Sequence, residues 1–185
     1  MVSKKYTKDY RLENTIGKDG KIVTVTVYCG EYYGFIADKD KLRRARAYIV
    51  LSCLFYWVFF WLGLAFDSGS MRQLYVSLPY FIGFLPAVYL SSSVYYLVKY
   101  TRRPLEKGFT REQHDRVYER MAQSSFVTLL LAAFAAVGVV FYFIFKFKTL
   151  GGLGDILTVL SILIMLTASA LVFVTKKYAK MQALS

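Results

Sequence analysis

The sequence predicts an all-α integral membrane protein with four transmembrane helices, arranged as two hairpins and preceded by a small cytosolic β-hairpin or three-stranded meander. Its 185 residues are 56% hydrophobic, whereas soluble domains are about 45–50% apolar. The excess lies in four long runs without charge, each long enough to cross a bilayer as a helix. The charges, which sum to a net +12, fall mainly between these runs, as in multi-pass membrane proteins.

Residues 1–46 are predicted to form a cytosolic segment that contains the β element. Val23, Val25 and Val27 alternate with Thr24, Thr26 and Tyr28, and a period of two is typical of a strand. The turn at 17–20 ends in Asp-Gly, which favours a hairpin with the preceding residues. A short third strand at 32–36 would complete a meander.

The first predicted transmembrane hairpin covers residues 47–98. Its first helix, 47–66, is about 20 residues long and uncharged, which is enough to cross a bilayer core of roughly 30 Å. Its second helix, 74–98, contains Pro79 and Pro86. Because proline lacks the backbone N–H that an α-helix uses, we expect a kink near Pro86, the proline closer to the middle of the span.

The basic loop 99–124 separates the two transmembrane hairpins and is predicted to be cytosolic. It carries 7 Lys or Arg residues, and such clusters are rarely moved across a bilayer. Thr110 and Gln113 form a capping-box pattern, so a helix is expected to start there and continue into the third span. His114, the only histidine, is interpreted as part of a solvated face of this helix rather than as a pH switch.

The second predicted transmembrane hairpin covers 125–175, with spans at 126–145 and 156–175 joined by a glycine-rich loop that ends at Asp155. Residues 176–185 form a predicted cytosolic tail. No Asp, Glu, Lys, Arg or His lies inside any of the four predicted spans. Proton-coupled and ion-coupled transporters usually need such a group, so the sequence disfavours that mechanism.

The distribution of basic residues gives the predicted orientation. With both termini inside, the cytoplasmic side holds 11 Lys or Arg residues in the N-terminal segment, 7 in the central loop and 3 in the tail, which is 21 of the 24. The remaining 3 lie outside. The positive-inside rule therefore places both termini in the cytoplasm. Since no targeting peptide is evident, we expect a multi-pass protein of a bacterial plasma membrane.

Motifs that carry chemistry are weak in this sequence. The two cysteines and the histidine lack the spacing of a metal site, and no nucleophile is paired with a base. We therefore expect a protein that is not an enzyme and that uses no cofactor and no metal. The basic charge is expected to face anionic lipid on the cytosolic side rather than nucleic acid, because no groove-reading motif accompanies it.

Two weak sets of candidate contact residues remain. Cations of the basic loop are candidates for contacts with acidic groups of a partner or of lipid: Arg103, Arg111 and Arg116. Polar, aromatic and proline residues of the second span could line a pocket: Pro86, Tyr89, Ser91 and Ser92. The N-terminal sheet is expected to dock on the loop helix, and its edge strands could pair with another chain.

These observations favour a non-catalytic accessory or regulatory subunit that docks a larger membrane complex through its basic cytosolic face. Its expected partners are membrane lipids and either another membrane protein or a second copy of itself. The alternative is a small oligomeric transporter or channel for a small molecule, and a membrane enzyme acting on lipid ranks third. The lack of charged residues inside the spans and of catalytic pairs separates the first function from the other two.

Overall fold

The computed structural model describes residues 4–16, 21–102, 108–146 and 152–184. The described chain is mostly helical, and four helical segments are long and apolar enough to cross a membrane. Only 33% to 39% of the apolar window of each segment is buried inside the protein, so the other side chains keep some surface outside the core, as expected where lipid is the solvent. The helices are α1 Lys39–Ala65, α2 Leu74–Ile82, α3 Phe84–Arg102, α4 Arg111–His114, α5 Arg120–Lys146 and α6 Leu153–Thr175.

The second span consists of two helices rather than one. α2 ends at Ile82 and α3 begins at Phe84, with Gly83 between them. Pro86, in the first turn of α3, has no N–H to donate to the carbonyl of Ile82, so the helix is interrupted one turn before the proline. The break lies at Gly83, which itself keeps α-helical dihedral angles, and the kink expected near Pro86 stays a prediction.

The third span presents a seam of buried side chains to α2, α3 and α6. The buried positions recur at alternating intervals of three and four residues, as in left-handed helix packing: Met121, Ser125, Thr128, Ala132, Ala135, Val139 and Tyr142. Beside this seam, a β-carbon at Gly138 would lie 2.7 Å from the carbonyl oxygen of Tyr75. Pro79 leaves that carbonyl without its helical donor, and the glycine lets α5 approach it closely.

The end of the bundle at which α1 joins α2 is closed by a buried carboxylate. The sequence prediction put Asp155 in a loop, but α6 begins at Leu153, so Asp155 lies in the first helical turn and is 3% exposed. Its Oδ1 accepts hydrogen bonds from the backbone N–H and the hydroxyl of Ser70, both at 2.9 Å. Negative charge is favourable at a helix N-terminus. Asp155 therefore fastens the α1–α2 loop to α6.

The helix predicted at the end of the basic loop begins with the expected capping box. Thr110 Oγ1 accepts from the Gln113 backbone N–H at 3.4 Å, and Gln113 Oε1 accepts from the Thr110 backbone N–H at 3.0 Å. α4 then passes through a π-helical turn, Asp115–Glu119, into α5. The predicted continuous helix from the basic loop into the third span is confirmed, with the π turn as an addition.

The described strands form two separate antiparallel pairs. β1, Tyr10–Ile16, and β2, Ile22–Tyr28, pair along their full length as the predicted hairpin. β3, Tyr32–Phe35, pairs instead with β4, Met181–Leu184, at the end of the chain. The predicted three-stranded meander is therefore wrong, because β3 does not pair with the hairpin. It pairs with a distant strand in the C-terminal tail, for which the sequence had predicted only basic character.

Candidate functional site: the basic end of the bundle

Several parts of the chain meet at one end of the helix bundle, which we call the basic end. They are the segment before α1, the start of the third span, the sheet β3–β4 and the 3₁₀ helix Lys176–Ala179. Tyr33 and Phe109 exchange two backbone hydrogen bonds of 2.8 Å, and the Ile36 N–H donates to the Lys180 carbonyl at 3.1 Å. These contacts unite the three segments on which the sequence places most of its basic residues.

Asp115, the first residue of the π turn, is the centre of the polar contacts at the basic end. Its Oδ2 accepts from Lys5 Nζ at 2.6 Å and from the Tyr6 hydroxyl at 2.7 Å. Its Oδ1 lies 3.3 Å from His114 Nδ1. π-helical turns are frequent at functional positions of helices, and here the turn places a carboxylate where it ties the N-terminal segment to the third span.

The contact with Asp115 changes the proton affinity of both N-terminal side chains. The hydrogen bond to Asp115 and the negative charge of that carboxylate raise the pKa of Lys5 above its ordinary value of 10.5. Burial, followed by the hydrogen bond to Asp115, raises the pKa of Tyr6 above its ordinary value of 10.0. Both groups therefore keep their protons near neutral pH, as the contact requires, since the ammonium and the phenol each donate to the carboxylate.

The sequence suggested that His114 lies on a solvated face of the loop helix, but the structure does not place it there. Its ring stacks on that of Tyr33, with centroids 4.6 Å apart, and its side chain is 13% exposed. The stacking holds β3 against α4. Of the N-terminal strands that were expected to dock on the loop helix as one sheet, β3 does so as part of the sheet β3–β4, whereas the hairpin β1–β2 stays largely exposed.

A polar cleft of about 410 Å³ lies beside Asp115. The charged side chains that line it are three basic and three acidic: Lys5, Arg116, Arg120, Glu112, Asp115 and Glu119. Arg116 donates to Glu112, and its guanidinium lies 5.6 Å from the centre of the Tyr96 ring. Because the charges balance and several of them pair with one another, the cleft has little net charge with which to attract an ionic substrate.

Three side chains of this cluster have the chemistry of metal ligands. His114, Asp115 and Glu119 each offer one ligand atom, and these atoms lie within 4.8 Å of one another. Imidazole and carboxylate groups suit several divalent ions. However, both oxygens of Asp115 have polar neighbours within the chain, and the Lys5 ammonium lies where a cation would bind Oδ2. The arrangement is that of an ion-pair centre, from which a metal would have to displace Lys5.

The hairpin β1–β2 projects from the basic end and is almost uncovered. Cross-strand pairing places Val23 and Val25 on one face and Leu12, Ile16 and Ile22 on the other. Their exposed fractions run from 44% for Val25 to 80% for Ile16. Most two-stranded ribbons need a third element to cover an apolar face. This hairpin shows apolar side chains on both faces, without cover from the described part of the chain.

The base of the hairpin is fixed to the bundle. Tyr6, just before β1, is 8% exposed. The Cys29 N–H donates to the Asp9 carbonyl at 2.8 Å, which closes the base of the ribbon. The Arg111 N–H donates to the Tyr28 hydroxyl at 3.0 Å. The hairpin is therefore held in a defined place on the bundle while its strands remain accessible.

The structure distinguishes the arginines that the sequence offered as partner contacts. The side chain of Arg111 is exposed, whereas Arg116 is engaged with Glu112 and Tyr96. Arg103 lies outside the described residues. A contact of any of them with a partner or with lipid stays a prediction, and Arg111 is more available for it than Arg116.

The candidate pocket residues of the second span have different surroundings in the structure. Ser91 accepts a hydrogen bond from Trp57 Nε1 at 2.7 Å, which joins α3 to α1. Tyr89, two positions away on the helix, is 57% exposed. Pro86 and Ser92 are half-buried. A pocket at these residues stays a prediction, and the structure uses Ser91 for packing between helices.

No protein-family model, curated protein or solved structure matches this chain. Two features of the basic end also lacked a recognisable sequence signal, namely the contact of Asp115 with Lys5 and Tyr6 and the pairing of β3 with β4. The accessible hairpin did have a sequence signal. Once the strands pair, the valines of β2 lie on one face and the other large apolar side chains lie on the opposite face, namely Leu12, Ile16 and Ile22. This arrangement indicates a ribbon with two apolar faces.

Proposed function

We propose that this chain is a non-catalytic membrane subunit that binds a larger membrane complex through the hairpin β1–β2. The observation that carries the proposal is the exposure of apolar side chains on both faces of an otherwise regular ribbon, with Leu12, Ile16 and Ile22 exposed by 74% to 80%. An exposed apolar surface of this kind marks an interaction site. Both strands are also edge strands, so either can pair with a strand of a partner.

The interior of the bundle favours this function over a solute path through one chain. A cavity between Tyr56, Tyr80, Ala135 and Met165 has a volume of about 10 Å³, which is close to the minimum for a single water molecule. The core around it consists of packed aromatic and small side chains. The transporter function that the sequence left as the alternative would therefore need a path that avoids this part of the core, for example one formed between several copies.

Substitution of the valines of β2 tests the proposal. Val23→Thr with Val25→Thr keeps side-chain shape and strand propensity but removes two exposed methyl groups. If this face binds a partner, we expect affinity to fall about tenfold, from two methyl groups at about 0.8 kcal/mol each. The measurement is co-purification from native membranes in mild detergent with quantitative mass spectrometry.

Two further variants make the result interpretable. Leu12→Thr with Ile22→Thr tests the other face of the hairpin, and Val174→Thr, at a 57% exposed position of α6, is a matched control away from the hairpin. A photo-reactive residue at position 25 should cross-link to the same partner that the variants lose. The proposal is contradicted if all variants retain every partner, or if cross-links reach lipid alone.

The proposed orientation places the basic end in the cytosol of a bacterial cell. It is based on the distribution of the 24 Lys and Arg residues, of which 21 would lie inside and 3 outside. Cys29 is exposed at the basic end and Cys53 is buried, so the natural protein already carries a suitable reporter. A membrane-impermeant maleimide added to intact cells should not reach Cys29. It should label Gly152→Cys in a Cys29→Ser background, since none of the residues that the structure describes would lie within 4 Å of a β-carbon at Gly152. Labelling of Cys29 but not of the cysteine at position 152 would show that the protein has the opposite orientation.

A further inference from the structure

A second cavity at the basic end lies between the sheet β3–β4 and the first turns of α1. Its volume is about 620 Å³. One wall carries the basic side chains Lys39, Arg43 and Arg46, and another wall carries Phe35 and Phe109. The cavity therefore combines positive charge with an aromatic surface, unlike the balanced polar cleft beside Asp115.

The three basic residues are placed by helix geometry. They stand at intervals of four and three residues along α1, so their side chains share one face of the helix. No acidic residue is among the described residues that line this cavity. Asp38, at the start of the helix, accepts from the Lys39 backbone N–H at 2.8 Å and so serves as a helix cap rather than as a counter-ion of the cavity.

Arg46 is held in a position to bind an anion. Its Nη1 donates to Thr101 Oγ1 at 3.0 Å, across to the end of α3, and the residue is half-buried. Within the described residues, none of the ion pairs involves Lys39, Arg43 or Arg46. A guanidinium fixed at one nitrogen still has other N–H groups for phosphate oxygens.

The depth of the cavity is that of lipid headgroups. Arg46 comes directly before the uncharged run that begins at Ala47, so it stands at the edge of the hydrocarbon layer if α1 spans the bilayer. Lys39, seven residues earlier, lies about 10 Å further along the helix. The basic wall thus runs through the interfacial layer, with the half-buried Leu42 between its charges.

We propose that this cavity binds the headgroup of an anionic phospholipid. The phosphate oxygens accept from Arg43 and Arg46, Lys39 contributes charge at the outer rim, and the glycerol and first acyl carbons pack on Phe35, Leu42 and Phe109. Free phosphate shares the anionic part of this chemistry, but it has no use for the apolar walls. The inference goes beyond the partner-binding function and does not depend on it.

Native mass spectrometry of the purified full chain in detergent tests this site. Phosphatidylglycerol is titrated against phosphatidylcholine, with inorganic phosphate and glycerol 3-phosphate as soluble probes. Arg43→Gln with Arg46→Gln should weaken phosphatidylglycerol binding about 30-fold, from two basic residues at about 1 kcal/mol each. Lys41→Gln with Arg44→Gln is the matched control, since it removes the same charge from the same helix but from positions outside the cavity lining.

The control variant should lose less than about threefold, as expected for a general surface field. Equal losses of phosphatidylglycerol affinity in both variants would mean that only the general surface charge attracts the lipid, and would overturn the proposal. Binding of inorganic phosphate as tight as that of phosphatidylglycerol would overturn the lipid assignment.

Leu42→Asn should weaken phosphatidylglycerol binding and leave glycerol 3-phosphate binding unchanged. If the double arginine variant is not monodisperse, Arg43→Gln alone, at an exposed position, should lose about fivefold.

Discussion

The two sheets at the basic end differ in how they relate to the rest of the molecule. β1–β2 is the larger, with seven residues in each strand, and it is joined by a local turn. β3–β4 has four residues in each strand and joins distant parts of the chain. Yet the smaller sheet is the integrated one. Met181 is 5% exposed, and Tyr33 and Phe35 pack against the buried core of this end.

This difference shows that a regular hairpin need not be part of a core. Hydrogen bonds between β1 and β2 satisfy the backbone, but their side chains gain little burial, and the net worth of such bonds in water is small. β3–β4 has fewer ladder bonds and more burial. We therefore propose that the uncovered hairpin β1–β2 is the surface for a partner, whereas the shorter sheet β3–β4 packs against the buried core of the bundle.

The largest expected effect comes from removing β4. Ending the chain after Lys180 deletes the ladder with β3, empties the position of Met181 and exposes Phe109. We expect the free energy of unfolding to fall by about 3 kcal/mol, as for the loss of a large buried apolar side chain with its surroundings. Thermal unfolding in detergent measures the change.

The matched deletion removes the larger sheet. Replacing residues 10–28 with a short Gly-Ser linker should lower the free energy of unfolding by less than about 1 kcal/mol, because little apolar surface becomes newly exposed. If the hairpin deletion proves as destabilising as the loss of β4, then the hairpin is a structural element and the contrast between the sheets is mistaken.

A smaller effect is expected at the contact that holds the hairpin. Asp115→Asn keeps an acceptor for Tyr6 but removes the charge opposite Lys5, and should weaken this contact by about 1–3 kcal/mol. Hydrogen exchange should then accelerate in residues 5–9 and at the base of the hairpin. Exchange in β3–β4 should not change. Acceleration throughout the basic end would mean that Asp115 supports both sheets.

The smallest effect is a loosening of the same contact at alkaline pH. The folded-state pKa values of Tyr6 and Lys5 are raised, so the contact is fully present below their ordinary values of 10.0 and 10.5 and is lost as pH rises through the raised values. A nitroxide at position 25 in a Cys29→Ser background should gain mobility only above about pH 10. In Asp115→Asn, mobility should be high already at pH 7. A gain in mobility well below pH 10 in the protein with Asp115 intact would contradict this explanation.

The parts of the fold that sequence could predict are those set by neighbouring residues. The uncharged runs predicted the four apolar helices, the Val-Thr alternation predicted β2, and Thr110 with Gln113 predicted the start of α4. Each depends on a local pattern of polarity or hydrogen bonding. The break at Gly83 could also be predicted approximately, because Pro86 removes a backbone hydrogen bond one turn before its own position.

The rest depended on contacts between distant residues. Nothing in the tail sequence around Met181 indicates β3 as its partner, and a four-residue strand has too few alternations to be recognised. Asp155 looked like a loop residue because its partner, Ser70, belongs to another loop. The role of Asp115 likewise required Lys5 and Tyr6 to be brought beside the third span. A single sequence offers no covariation from which such pairs could be inferred.

Hydrogen exchange of the two sheets in one experiment tests the central claim most directly. The chain is measured at pH 7 as the isolated protein in detergent and again in the complex retained from native membranes. We expect peptides covering β1–β2 to exchange slowly only in the complex, and peptides covering β3–β4 to be equally protected in both samples. Equal exchange of β1–β2 in the two samples would contradict the assignment of the hairpin as the surface that binds a partner.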